Sequence, residues 1–315
     1  MKKVTKSGEK NSVLSFHKSF IFMSVLLFIK KGKFENFSFV SSIQNQDLKS
    51  KLLVNPVPSF SFDHSCIEIR LENSLPREEL VGLRAAVSSD RIDVLQIENH
   101  LNPKEPNLFC FDMDSTVIQE EVIDELARKH GVYEQVASVT KQAMDGGMGF
   151  EEALRKRVIL LNGLSRKSFG EVYELLHLNP GMDILFQELP KFQTKISILS
   201  GGFTPVLDLF AKKYPVSFYR ANHLEEKEGV FTGEILGEII GKEKKAEYLN
   251  LYSNEQNITK QQIVAVGDGA NDGLMLQSAS IGIGFHAKQG LKDQILNWID
   301  FSDMSVLLFL FRPAA

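Results

Sequence analysis

The stretch Leu108-Phe109-Cys110-Phe111-Asp112-Met113-Asp114-Ser115-Thr116 changes character at its middle. Four apolar residues run without a break and then give way to acids and hydroxyls. An uninterrupted apolar run of this length marks a strand buried on both faces. The acids stand where such a strand ends. Two carboxylates this close repel each other, which raises a pKa or calls for a cation. Taken alone, the pair fits solvated loop acids equally well.

Working outward, the same event recurs. Residues 196–199 are apolar apart from Ser197 and lead into Ser200-Gly201-Gly202. Residues 263–266 are apolar and lead into Gly267-Asp268-Gly269-Ala270-Asn271-Asp272. Further strands are expected at 216–219 and 281–284, and a glycine-punctuated hairpin at 229–240. Helical spacing is read at 117–130, where Ile118, Val122 and Leu126 share a face and Gly131 is placed to cap. It is read again at 150–161, 168–178, 205–213, 242–253 and 271–278. Apolar strands alternating with helices predict an α/β fold, a mostly parallel sheet with helices on both faces. Ligands of such sheets bind outside the carboxyl ends of the strands, so the three polar ends converge on one crevice. The block at about 117–180 is too long for a simple crossover and reads as an inserted helical cap.

Four acids at two strand ends suit a hard cation, and Mg²⁺ typically takes one or two carboxylates together with phosphate oxygens. Ser200-Gly201-Gly202 offers a hydroxyl and backbone N–H groups at a helix start, where an anion is favoured. Lys245 stands near the start of a helix, where the dipole favours an acid, so its charge needs another reason. Any one of these residues has an ordinary structural explanation. Their combination does not.

In this order the motifs resemble the haloacid dehalogenase (HAD) superfamily of phosphatases, and within it the phosphoserine phosphatase family. The resemblance covers about residues 107–311. It extends through Glu121-Val122-Ile123-Asp124-Glu125, Lys141-Gln142-Ala143-Met144, Phe150-Glu151-Glu152-Ala153-Leu154-Arg155-Lys156-Arg157 and Phe231-Thr232-Gly233. It implies a HAD-like Rossmannoid core at 106–315 with its helical cap. It also implies an Mg²⁺-dependent hydrolase that releases serine from O-phospho-L-serine, the last step of serine biosynthesis. Asp112 would be the nucleophile and Asp114 the acid and base. Asp112, Asp268 and the backbone carbonyl of Asp114 would hold Mg²⁺, with Asp272 supporting them. Ser200, Gly201 and Lys245 would neutralise the phosphoryl oxygens, and Asn271 would help position them. In the cap, Glu121 would meet the substrate ammonium and Arg157 its carboxylate, with Met144 and Phe150 packing over both. One departure is Gly273, where the family pattern expects an apolar residue. Glycine there costs a helix start roughly 1 kcal/mol relative to alanine.

Residues 1–105 are harder to read. A helix is expected at 76–87 and a strand at 92–97, followed by a proline-containing linker at 102–106. A degenerate regulatory domain is one reading of this small α+β region. Residues 1–34 carry eight lysines against Glu9, while the whole chain has a net charge of −4. The apolar run 20–29 is shorter than the roughly 20 residues that span a bilayer. Lys30, Lys31 and Lys33 follow where a leader would be cleaved, so a buried strand or helix and a cytoplasmic protein are expected. The acidic balance argues against a nucleic-acid partner. Two cysteines in 315 residues exclude a disulfide scaffold.

Two other functions fit part of the pattern. A phosphotransferase of the same fold would pass the phosphoryl group to an alcohol. A receiver-like module would accept it without turnover, but that reading leaves Asp114 and the cap unexplained.

Overall fold

The structure is a computed structural model that describes residues 24–34, 63–144 and 146–311. The sequence Asn55-Pro56-Val57-Pro58 and the start of the apolar run, residues 20–23, lie outside the described residues.

The chain first builds a small antiparallel sheet in the order β2-β1-β3 from β1 (Ser24–Lys31), β2 (His64–Leu71) and β3 (Asp93–Ile97). Helix α1 (Arg77–Val87) lies between the last two strands in sequence. The apolar run is therefore a central strand. Leu26 and Phe28 face Leu80, Leu83 and Val87 of α1. Val25, Leu27 and Ile29 face the other way and join the main core. A strand buried on both faces needs no polar alternation.

The main sheet begins with β4 (Asn107–Phe111). Helices α2 (Val122–His130), α3 (Tyr133–Met144), α4 (Phe150–Ile159), α5 (Lys167–Tyr173) and α6 (Met182–Glu188) follow. The chain then returns as β5 (Thr194–Phe203), α7 (Thr204–Lys213), β6 (Phe218–Lys227) and β7 (Val230–Leu236). It closes with α8 (Lys242–Glu255), β8 (Ile263–Gly267), α9 (Gly273–Ser278), β9 (Ile281–Phe285), α10 (Gln289–Lys292) and β10 (Asn297–Ile299). The seven strands run β10-β9-β8-β4-β5-β6-β7, with only the β6–β7 hairpin antiparallel. Register brings Phe111 level with Ile198 of β5 and Val266 of β8. Asp112 and Asp268 thus leave the sheet at the edge expected of the converging crevice, whereas Ser200, expected to follow its strand, lies within β5, which continues through a register shift to Phe203.

The expected helix at 117–130 starts later, at Val122. Ile118 instead forms an isolated bridge with Leu178. Asn179 reinforces it by donating from Nδ2 to the carbonyls of Thr116 and Ile118, both at 2.9 Å. The outgoing and returning connections of the helical block are zipped together there, a long-range pairing that helical spacing does not report. Gly131 does cap α2, with φ +77°.

The small sheet is fixed to the large one by buried polar groups. Asp93 accepts from the backbone N–H groups of Asp300, Phe301 and Ser302. Asn297 exchanges two hydrogen bonds with the backbone of Gln96, at 2.7 and 2.8 Å. Arg84 donates to the carbonyls of Val94 and Leu296 and lies 3.9 Å over the Trp298 ring. Among the described residues, no helix is long and apolar enough to cross a membrane. Cys66 and Cys110 are both free and buried.

Candidate active site

Asp112 leaves β4 directly, and its N–H donates to the Val266 carbonyl at 2.9 Å. It is only 5% exposed. Both bonds that its carboxylate receives from the described residues fall on Oδ1, from the Met113 N–H at 2.8 Å and Lys245 Nζ at 2.7 Å. Oδ2 is left for other chemistry. The chain then turns sharply, with Ser115 at φ +56°. A non-glycine residue adopts that conformation only when its surroundings hold it there. Ser115 Oγ donates to Glu121 Oε1 at 2.8 Å. The turn therefore serves Glu121 as well as the acids.

Asp114 bonds to a different set of groups. Its Oδ1 accepts from the Val122 N–H at 2.9 Å, and Ser200 Oγ lies 3.5 Å from Oδ2. Burial first, and then the Glu121 carboxylate, push its pKa up to about 7. A carboxyl poised there can both give and take a proton near neutrality.

Asp112, Asp268 and Asp272 each present a carboxylate oxygen within 4.8 Å of the others, and all three residues are buried. Burial raises the pKa of Asp112 well above the carboxylate range, and Asp272 raises it further. Lys245 is the buried counter-charge, bonded to Asp112 and Asp272 at 2.7 Å each. Burial alone would lower its pKa, yet the two acids hold it above the lysine range. The three acids share two ammoniums, Lys245 and, on Asp268, Lys288, which leaves negative charge unbalanced. An all-oxygen set of this kind fits a hard divalent cation. Asp272 has Oδ1 on Lys245 and Oδ2 on the Gly269 N–H, which ties it to the cluster.

Ser200 is fully buried, and its Oγ accepts from the Gly202 N–H at 2.8 Å. A methyl group on Gly202 would lie 2.9 Å from Asp114 Oδ2, so only glycine fits. The Asn271 side chain folds over Gly269, where an added methyl would lie 2.6 Å from its Oδ1. Arg157 lies within the electrostatic reach of Glu121, Asp124 and Asp114. Phe150 lies against Gly201 and Gly241. Met144 ends α3, and its side chain lies outside the described residues. A methyl on Gly273 would meet the end of the exposed Gln294 side chain, which can move aside, so the structure gives no packing reason for glycine there.

Two contributors escaped the sequence reading besides Ser115. Lys288 donates from Nζ to Asp268 Oδ2 at 2.8 Å and lies 3.9 Å from Glu121 Oε1. Its N–H also bonds the Asp268 carbonyl at 2.9 Å. The signal for it was its place just beyond the end of β9, at the carboxyl edge of the sheet. Asn222, on β6, carried no signal beyond being a polar residue in a strand.

A phosphoserine phosphatase of Archaeoglobus fulgidus is 40% identical over 190 residues, 60% of this chain and 55% of that protein. The chain thus spans about half the length of that relative. One of Streptococcus thermophilus is 42% identical over 181 residues, 58% of this chain and 84% of that protein. The crystal structure of a HAD family hydrolase from Salmonella enterica serovar Typhi superposes with a TM-score of 0.82 at 26% identity. It covers 93% of this chain and 100% of that one. The haloacid dehalogenase-like hydrolase family matches residues 109–277, and they hold both acid-bearing strand ends, the serine loop and the buried lysine. The chain belongs to the haloacid dehalogenase-like hydrolases.

Proposed function

We propose that this chain is an Mg²⁺-dependent phosphatase that hydrolyses O-phospho-L-serine to L-serine and phosphate. The observation that carries the reading is the buried cluster of Asp112, Asp268 and Asp272, braced by Lys245, with Asp114 bonded separately to the Val122 N–H. The names of the two relatives support the substrate.

Asp112 Oδ2 attacks phosphorus, and the bond from phosphorus to the serine oxygen breaks. Asp114 gives its proton to that leaving oxygen, which departs as a hydroxyl. An aspartyl-phosphate on Asp112 remains, so one difficult displacement becomes two easier ones. Asp114, now ionised, takes a proton from the water that attacks the same phosphorus. Phosphate leaves and Asp112 is restored. Lys245 and Ser200 meet the phosphoryl oxygens, an effect worth several kcal/mol in a water-poor site. Asp112, Asp268 and the Asp114 carbonyl would hold Mg²⁺, which would supply positive charge against the phosphoryl oxygens. Glu121 and Arg157 face the substrate ammonium and carboxylate. Met144 and Phe150 close over them, and Asn271 helps to orient the phosphoryl group.

Phosphate release from O-phospho-L-serine, measured with Mg²⁺ and with EDTA, tests this directly. Wild type should release phosphate only with the metal, and Asp112→Asn should be about 10⁴-fold slower or worse. Release unaffected by that substitution would overturn the assignment of the nucleophile. Release from other phosphate esters but not from phosphoserine would overturn the substrate.

A further inference from the structure

Asn222 lies on β6, outside every motif of the site, yet it is 0% exposed. Its carboxamide bonds entirely to backbone. Nδ2 donates to the carbonyls of Gly201 at 2.8 Å and Gly202 at 3.2 Å. Oδ1 accepts from the N–H of Ile240 at 2.9 Å. One side chain therefore joins the end of β5, just after Ser200, to the residues leading into α8. Gly241 precedes that helix, and its carbonyl accepts from the Lys245 N–H at 2.9 Å.

These two segments also flank one ring. A methyl group on Gly201 would lie 3.1 Å from the ring of Phe150, and one on Gly241 would lie 3.5 Å from it. Phe150 opens α4 in the inserted helical block. The ring sits against two glycines whose spacing the carboxamide holds. Orientation follows too. A trans peptide points its C=O and N–H in opposite directions. Holding the Gly201 carbonyl on Asn222 turns the Gly202 N–H towards Ser200 Oγ, which it meets at 2.8 Å.

We infer that Asn222 is a positioning residue that sets the seat of Phe150 and the orientation of Ser200, and so couples phosphoryl binding to closure of the helical block. The inference rests on the phosphatase reading of the site. Only a carboxamide can serve two carbonyls and one N–H at once. A carboxylate lacks the donors, and an aliphatic side chain lacks both functions.

The test compares wild type, Asn222→Asp, Phe150→Ala and the double variant. Asn222→Asp keeps the acceptor and loses the donors. It should lower kcat/KM for O-phospho-L-serine about tenfold to a hundredfold, as losing a buried hydrogen bond does. The inhibition constant of inorganic phosphate should rise with it. The double variant should be no worse than about threefold below the poorer single one, because both remove one coupling. Multiplied losses would overturn the inference. Gly241→Val fills the ring's seat without touching Asn222, and so serves if Asn222→Asp does not fold. It should slow turnover in wild type and have little effect beside Phe150→Ala. Equal effects in both backgrounds would overturn the inference. Amide exchange needs no substrate. Asn222→Asp should speed exchange within residues 150–159, which it does not touch, and unchanged exchange there would overturn the coupling. Wild type that fails on phosphoserine would sink the substrate reading and leave this last comparison standing.

Discussion

Asp93 and Asp112 are both buried carboxylates, one at the seam between the two sheets and one at the carboxyl edge of the larger. Burial is the first cause raising the pKa of each. The remaining causes then diverge. At Asp93 they pull back, through the backbone N–H groups of Asp300, Ser302 and Phe301. At Asp112 the next cause is Asp272, which pushes the same way, and Asp268 and Asp114 add to it against Lys245. The chain supplies fixed dipoles for the first acid and leaves the second short of positive charge. A buried charge that the fold matches holds parts together. One that it leaves unmatched keeps a place for something bound.

Lys245→Met would sharpen this contrast most. It removes the buried ammonium that offsets Asp112 and Asp272. Phosphate release should fall about 10³-fold, the scale of losing a preorganised charge at the reacting group. Thermal stability in EDTA should drop as well, by about 3 kcal/mol, because two buried acids lose their partner. Mg²⁺ should recover part of that stability, and a variant as stable as wild type in EDTA would break the comparison.

Asp93→Ala probes the other side. Three N–H groups lose their acceptor. Urea unfolding should show a loss of about 2–3 kcal/mol, the cost of leaving buried donors unpaired. Trp298 is the single tryptophan and stacks under Arg84 at this seam, so its fluorescence reports the event. Turnover per folded molecule should stay unchanged. A large fall in turnover would mean that the seam is coupled to the chemistry.

The smallest effect concerns Glu68 in the small sheet. Its hydrogen bond from His100, and then that from Arg70, lower its pKa from the ordinary 4.5 to about 2. The folded value lies below the unfolded one, so its stabilising effect is complete above pH 4.5 and fades as pH falls towards 2. Glu68→Gln should therefore cost about 1 kcal/mol at pH 6 and progressively less at pH 4 and pH 3. A gap that stays constant over this range would remove Glu68 from the acid sensitivity of the small sheet.

The strand ends were legible because parallel strands buried on both faces must be apolar throughout, which makes the acids after Phe111 and Val266 conspicuous. Lys245 was legible because a cation near a helix start opposes the dipole. The helix that was read from Val117 begins instead at Val122, because Ile118 pairs with Leu178, sixty residues on. Lys288 and Asn222 were missed for a related reason. A lysine in a loop and an asparagine in a strand look ordinary until the chain brings Asp268 and Gly201 to them.

By itself, the sequence determined which residues carry reactive groups, their order along alternating strands and helices, and hence the sheet edge on which they stand. Those properties are local, since periodicity and side-chain chemistry are written residue by residue. Tertiary structure alone decided which Asp112 oxygen stays clear of Lys245, that Ser115 holds Glu121, that Asn222 seats Phe150, and that the small sheet is fixed at Asp93. Each depends on distances between segments far apart in the chain. Such distances arise only when the folded chain brings buried polar groups to their partners.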